Sequence, residues 1–142
     1  MPIVQGQTTL FKGNILSGLE NFTLSSPYTY KIALYNANAN LNNTTIAYSS
    51  NNESTGSGYT AGGQVLTVSN PPTQDTTNNI AFISFNNVTW TGSITARGAL
   101  VYNSTTGAAC FILNFGSDIT SSNSFTVTFP TATSTTAVLT IS

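Results

Sequence analysis

The apolar positions of this 142-residue chain follow two different periods. Near the start, TTLFKGNILSGLE (Thr8 to Glu20) spaces Phe11, Ile15 and Leu19 four apart, with Leu16 beside them. That spacing predicts a short helix behind a capping Thr, weakened by Gly13 and Gly18. Beyond it the period becomes two. YTYKIALYN (Tyr28 to Asn36), QVLTV (Gln64 to Val68), IAFISF (Ile80 to Phe85) and SITARGALVYN (Ser93 to Asn103) read as strands. So do ACFILNF (Ala109 to Phe115), SFTVTFP (Ser124 to Pro130) and TAVLTIS (Thr136 to Ser142). SFTVTFP alternates cleanly, placing Phe125, Val127 and Phe129 inward. In SITARGALVYN the same rule puts Ile94, Ala96, Gly98, Leu100 and Tyr102 on one face and Thr95, Arg97, Ala99 and Val101 on the other. Turn chemistry separates the runs at Ser69–Pro72, Asn86–Asn87, Asn103 to Gly107 and Gly116 to Asn123.

About seven short strands with β-branched and aromatic enrichment predict an all-β fold. The expectation is an antiparallel β-sandwich or jelly-roll-like domain with one short N-terminal helix, spanning 1–142 as a single unit. Residues 1–13 carry a second reading, as an arm extended from that domain. IAFISF and ACFILNF are apolar on both faces and need cover on each. The helix can cover one face, and a neighbouring subunit is the expected cover for the other. The Asn-rich segment NANANLNNTT (Asn36 to Thr45) is expected to be a surface loop.

Charge narrows the functional classes. The chain has three basic residues (Lys12, Lys31, Arg97) and four acidic ones (Glu20, Glu53, Asp75, Asp118), 5% in all, with net charge −1. An average soluble domain carries about 25%. Such a surface cannot neutralise a row of phosphates, so nucleic acid is not an expected partner. No basic amphipathic helix is present for a membrane surface, and no apolar run approaches the ~20 residues that span a bilayer. MPIVQGQTTL lacks the charged and apolar regions of a secretory signal. The six Asn-x-Ser/Thr triplets are what a chain this rich in Asn, Ser and Thr produces by chance. Low charge also protects weakly against self-association, which suits a protein held in an assembly.

Little points to chemistry. Histidine is absent, which removes the commonest general base and most zinc sites. The carboxylates at 20, 53, 75 and 118 form no local metal loop and no marked catalytic pair. Neither an enzymatic activity nor a cofactor or metal is expected. Cys110, the single cysteine, lies in an apolar run and is expected to be a buried, inert thiol. The glycines of GSGYTAGG (Gly56, Gly58, Gly62, Gly63) suggest a phosphate-cradling loop at first sight. No lysine follows Gly63, however, and the segment precedes a strand rather than a helix. They predict a tight turn with positive-φ positions, anchored to the core by Tyr59. Arg97 sits mid-strand among apolar residues. Either it forms a structural ion pair with Glu53 or Asp118, or it faces solvent from an outer sheet face. Trp90 is expected to be a core or sheet-edge aromatic; an interface anchor or a sugar-stacking platform is the alternative.

Several fragments together carry a resemblance: YKIALYN, ESTGSGYTAGGQVL, FISFNNVTW, ITARGALVYNSTTGAACFILNFGSD and SFTVTFP, in that order from about Tyr30 to Pro130. In this the chain resembles small virion structural proteins of tailed bacteriophages, the capsid decoration, cement or head-fibre-like family. The linked pieces GxGYTAGG, TARxALVYN and FGSD are its specific part. The near-neutral surface departs from the family pattern. The resemblance implies a non-enzymatic decoration protein that binds the major capsid protein on the outside of the capsid and stabilises it. It would be made in the bacterial cytoplasm and present as a homo-oligomer, a trimer by analogy with three-fold capsid sites. The alternative is a tail, collar or fibre component with a receptor- or glycan-binding face. A soluble carbohydrate-binding module using Trp90 is the third reading.

Overall fold

The fold is that of a computed structural model, in which residues 2–142 are described. In chain order the elements are β1 (Gly6–Gln7), α1 (Thr9–Leu16), β2 (Tyr30–Tyr35), β3 (Gln64–Val65), β4 (Val68–Asp75), β5 (Ile80–Phe85), β6 (Val88–Thr91), β7 (Thr95–Asn103), β8 (Ala109–Thr120), β9 (Ser124–Val127) and β10 (Leu139–Ile141). The strands form a five-stranded sheet in the order β1-β8-β7-β2-β3, a three-stranded sheet β10-β5-β4 and a two-stranded sheet β6-β9. Every pairing between these strands is antiparallel. The protein is an all-β, sandwich-like domain with one short helix.

The main core lies between the large sheet and the two small ones. Ile32 and Leu34 of β2, Ala99 and Val101 of β7 and Phe111 of β8 face Ile83 and Phe85 of β5, Val88 and Trp90 of β6, and Phe125 and Val127 of β9. Aromatic pairs fill it: Phe85 meets Phe111 at 6.4 Å and Trp90 meets Phe125 at 6.3 Å between ring centres. The helix starts where the cap predicts, because the Thr8 side chain accepts from Phe11 N. It ends after Leu16, ahead of Gly18 at φ 74°. Only Phe11 of the apolar row is buried, against Phe22 and Phe111, while Leu16 is 89% exposed.

Four expectations change. The opposite face of the five-stranded sheet, expected to need a neighbouring subunit, is covered by the chain itself. Ala33 and Tyr35 of β2 and Leu100 and Tyr102 of β7 pack there under Ile3, Ala39, Leu41 and Tyr48. The Asn-rich segment is thus a lid, two of whose three apolar residues, Ala39 and Leu41, are buried among mostly exposed asparagines. The N-terminal segment lies against the domain rather than extending as an arm. Ile3 is buried and bridges Leu41, Gly6–Gln7 pairs with β8, and Thr8 donates to the Ala109 carbonyl; Met1 lies outside the described residues.

The third change is in β7. Ile94 and Ala96 face the main core, but so do Ala99 and Val101, while Leu100 and Tyr102 face the lid. A register shift between Ala96 and Gly98 inserts β8 residues opposite them and swaps the faces. Strict alternation cannot foresee a bulge. The fourth concerns two expected turns: residues 116–120 of the Gly116 to Asn123 turn lie inside β8, and SNPP lies inside β4. Two register shifts accommodate Pro71 and Pro72 there, and β4 is an edge strand, where a missing N–H is tolerated.

Candidate functional site

The most polar point of the interior is Glu53. It follows the lid, bridges Tyr35, and is 7% exposed. No cation meets it. Its carboxylate accepts instead from the Tyr48 hydroxyl at Oε1 (2.6 Å), and from the Tyr59 hydroxyl (2.5 Å) and the Gly62 backbone N–H (2.7 Å) at Oε2. Each partner is held in turn. The Tyr59 oxygen accepts from Leu34 N at 2.9 Å, and Tyr102 donates to the Gly62 carbonyl at 2.7 Å. Tyr48 stacks on Tyr102 with ring centres 4.7 Å apart. Burial pushes the Tyr59 and Tyr48 phenols well above their ordinary pKa, and donation to Glu53 pushes them further. These phenols therefore stay protonated and act as donors.

The glycines make this geometry reachable. Gly58, at φ 84°, lies so close to the next chain segment that a Cβ would overlap the Thr91 carbonyl oxygen. Gly63, at φ 78°, packs in the same way on the Ile32 carbonyl. The segment is a turn closed by Tyr59 N donating to Gly56 O and Gly63 N to Thr60 O, and it feeds β3. It cradles a carboxylate of its own chain, not a phosphate.

Arg97 does not reach Glu53. It pairs with Asp118 at 2.9 Å, at the surface, with side chains 37% and 53% exposed. The pair joins β7 to the bulged stretch of β8 and so combines the two alternatives for Arg97, an ion pair that faces solvent. Trp90 is 2% exposed and lies in the main core, near Tyr59 and Phe125. It offers no face to an interface or a sugar ring, and its indole N–H is buried without a partner. Cys110 is free and buried, and burial followed by the nearby Glu20 raises its thiol pKa.

A second polar cluster went unnoticed in the sequence. Glu20, just beyond the helix, accepts from the Tyr30 hydroxyl and from Asn103 Nδ2, both at 2.9 Å. Asn103 is completely buried and also caps the following turn through Oδ1 to the N–H groups of Thr105 and Thr106. Glu20, half-buried, and Glu53, buried, thus do similar work at two places. With three cations in the whole chain, a buried carboxylate has to be met by tyrosines and amides. The signal was present as six tyrosines set against four acids. The partners Tyr48, Tyr30 and Tyr102, however, lie 5 to 40 residues from the groups they serve, and Asn103 lies 83 from Glu20.

Protein-family models, curated proteins and solved structures were each compared with this chain, and none matches. The geometry therefore stands alone. Among the described residues no group of three or more His, Cys, Asp or Glu is placed to hold a metal, and no helix is long and apolar enough to cross a membrane. The carboxylates of Glu53 and Glu20 are committed to fixed donors inside the fold. The surface holds exposed Leu16, Leu24 and Ile46 and an uncharged groove of about 620 Å³ beside β9.

Proposed function

We propose that this protein is a non-enzymatic structural component of a tailed-bacteriophage virion that binds the outside of the capsid and stabilises it. The observation that carries this reading is the division of labour among the polar groups. Glu53, Glu20 and Arg97 all serve the fold, and the surface left over is almost uncharged yet presents Leu16 at 89%, Leu24 at 76% and Ile46 at 68% exposure. Large apolar side chains on a neutral surface favour broad, permanent contact over the capture of a charged substrate.

The segments that carry the resemblance also meet in space. GSGYTAGG is tied to TARGALVYN through Tyr102 and Gly62, and TARGALVYN to FGSD through Arg97 and Asp118. They are part of the framework, so the resemblance they carry marks no site of its own. On a shell, repetition sums modest interfaces into mechanical support, and identical neutral faces approach without repulsion. Virions assembled without this protein should release DNA at lower temperature or lower chelator concentration than complete ones. Equal release with and without it overturns the stabilising role. A copy number of a few to dozens per particle, rather than hundreds, would assign it to the tail or collar.

A further inference from the structure

We propose that the N-terminal segment is a strap that latches the lid: residues 2–7 and residues 37–45 open together, as one unit, while the rest of the domain stays folded. The opened state bares the inner face of the five-stranded sheet at Ala33, Tyr35, Leu100 and Tyr102.

Residues 36–52 form a loop whose ends meet, with Asn36 N–H donating to Asn52 O at 3.0 Å. The second half of this loop is fastened to the β7–β8 hairpin. Ala47 bridges Ala108, Ala109 N–H donates to Ile46 O and Tyr48 N–H donates to Gly107 O. The first half has no such tie. Among the described residues, the hydrogen bonds that join residues 37–45 to the rest of the domain come from the strap and from the helix start that follows it. Val4 N–H donates to Leu41 O at 2.8 Å, and Thr9 N–H donates to Asn43 O at 2.9 Å. Thr9 opens the helix, so its N–H has no acceptor within the helix and is free for the lid. Ile3 bridges Leu41 in parallel and is buried in the same cluster.

The strap is itself held by a short ladder. Gly6 and Gln7 pair with Ile112 and Phe111 at the edge of β8. Asn114 Nδ2 donates to Ile3 O at 2.9 Å, and Asn114 N–H donates to Gln5 Oε1 at 3.0 Å. Ile3 rests on the bare backbone of Gly98, where a Cβ would come within 3.0 Å of both Ile3 Cδ1 and Cγ2. Among the described residues, none of 2–7 or 37–45 belongs to the main core. The two cores lie on opposite faces of one sheet, so the second can open while the first stays whole. Segments with few buried contacts open at a lower free energy than the whole fold. Ile3 and Leu41 share their burial, so neither leaves without exposing the other, and coupling of this kind acts equally in both directions. The strap is thus a handle on the lid: drawing it off β8 removes the Val4 bond and the Ile3 cover together. This inference goes beyond the virion reading and does not rest on it.

Native-state hydrogen exchange on the whole ¹⁵N-labelled chain tests the latch. Ile3→Ala should quicken exchange at Ala39 and Thr45, in the lid, about tenfold or more. The amides that pair β2 with β7 should keep the parent rate, because the opening leaves their bonds in place. Asn114→Ala removes the donation to Ile3 O and has no hydrogen bond to the lid. It should still quicken Ala39 and Thr45 about threefold or more. In the other direction, Leu41→Ala should quicken the Asn114 amide, whose acceptor is Gln5 of the strap. Limited digestion with a protease of broad specificity should cut within 37–45 faster in the Ile3 and Asn114 variants, and it supplies the reading where an amide exchanges too fast to follow. If Ile3→Ala fails to fold, Asn114→Ala decides. Lid exchange and cutting at the parent rate in Asn114→Ala overturn the proposal, because the lid then moves without the strap. Equal quickening in the lid and in the β2–β7 pair also overturns it, because the lid then opens only with the whole fold. Both measurements use the isolated protein, so they stand apart from the virion stability result.

Discussion

Glu53→Leu is the most informative single change, because it removes every acceptor at this point while nearly preserving side-chain size. Three donors lose their partner: the hydroxyls of Tyr48 and Tyr59 and the N–H of Gly62. Tyr48 is half-buried and can turn to water; Tyr59 is half-buried too, but Leu34 N holds its oxygen in place, so its hydroxyl and the buried Gly62 N–H are left stranded. A buried unsatisfied donor costs about 1–3 kcal/mol. Against this, the parent carries the cost of burying a carboxylate, which the leucine removes. The balance is a loss of about 3 kcal/mol, and for a domain of this length about 3–4 °C per kcal/mol gives a Tm roughly 10 °C lower. Glu53→Gln should fall between. Its amide keeps a carbonyl for Tyr59 and Gly62, and Tyr48 can reverse to accept from the nitrogen, so only charge assistance is lost. Tyr59→Phe should cost less in the Glu53→Leu background than in the parent, since both changes break the same bond. Scanning calorimetry reads all of these. A Glu53→Leu protein at least as stable as the parent would refute the reasoning, because the donors would then not depend on the carboxylate.

Other consequences are simpler. Arg97→Ala should lower Tm by no more than about 3 °C, because the Arg97–Asp118 pair is exposed and such pairs contribute about 0–1 kcal/mol; a larger drop in thermal melts would mean that the pair is not the surface contact described. Gly58→Ala combines a positive φ with overlap of the Thr91 carbonyl, so it should cost more than about 3 kcal/mol and yield insoluble protein, whereas Gly107→Ala, with φ 85° but open space, should stay folded. Alkaline pH should unfold the domain. Burial raises the folded pKa of Tyr30, Tyr35 and Tyr59 above the ordinary 10.0, so their stabilisation is complete below pH 10 and declines above it, by about 1.4 kcal/mol per pH unit for each tyrosine that ionises only on unfolding. Phenolate absorbance from these residues should appear together with the loss of circular dichroism, and phenolate appearing in a protein that is still folded would contradict this.

What the sequence made legible was local. Period-two patterning located most strands because the burial of SFTVTFP follows alternation residue by residue, with Phe125, Val127 and Phe129 buried and Thr126 and Thr128 exposed. The cap at Thr8 and the turn at GSGYTAGG were legible for the same reason, since hydroxyl and glycine chemistry act within a few residues. The bulge at Ala96–Gly98 was not, because it is set by how β8 pairs from the other side. The lid was not either. NANANLNNTT looks solvated because its asparagines are, and nothing local marks Ala39 and Leu41 as the two that turn under. Partner choice was the least legible. Glu53 follows Arg97 in formal charge logic, yet the fold brings it to Tyr48 and Tyr59, five and six residues away, and leaves Arg97 to Asp118.

The lid changes what an assembly contact must do. An uncovered inner face on the five-stranded sheet would have made a neighbouring subunit a condition of folding. Because Ile3, Leu41 and Tyr48 cover that face within one chain, the domain closes its own core, and any contact it makes in a particle is added to a finished fold. On the function proposed above, copies would fold first and bind late, to a lattice that already exists. Such contacts have to come from what the finished fold leaves unpaired. Those are the exposed leucines of the helix and the following loop, Ile46 beside them, and the bare edge of β9. The first can supply area to any apolar neighbour. An open strand edge such as that of β9 would accept only a backbone in a matching direction and register, which an apolar patch does not require.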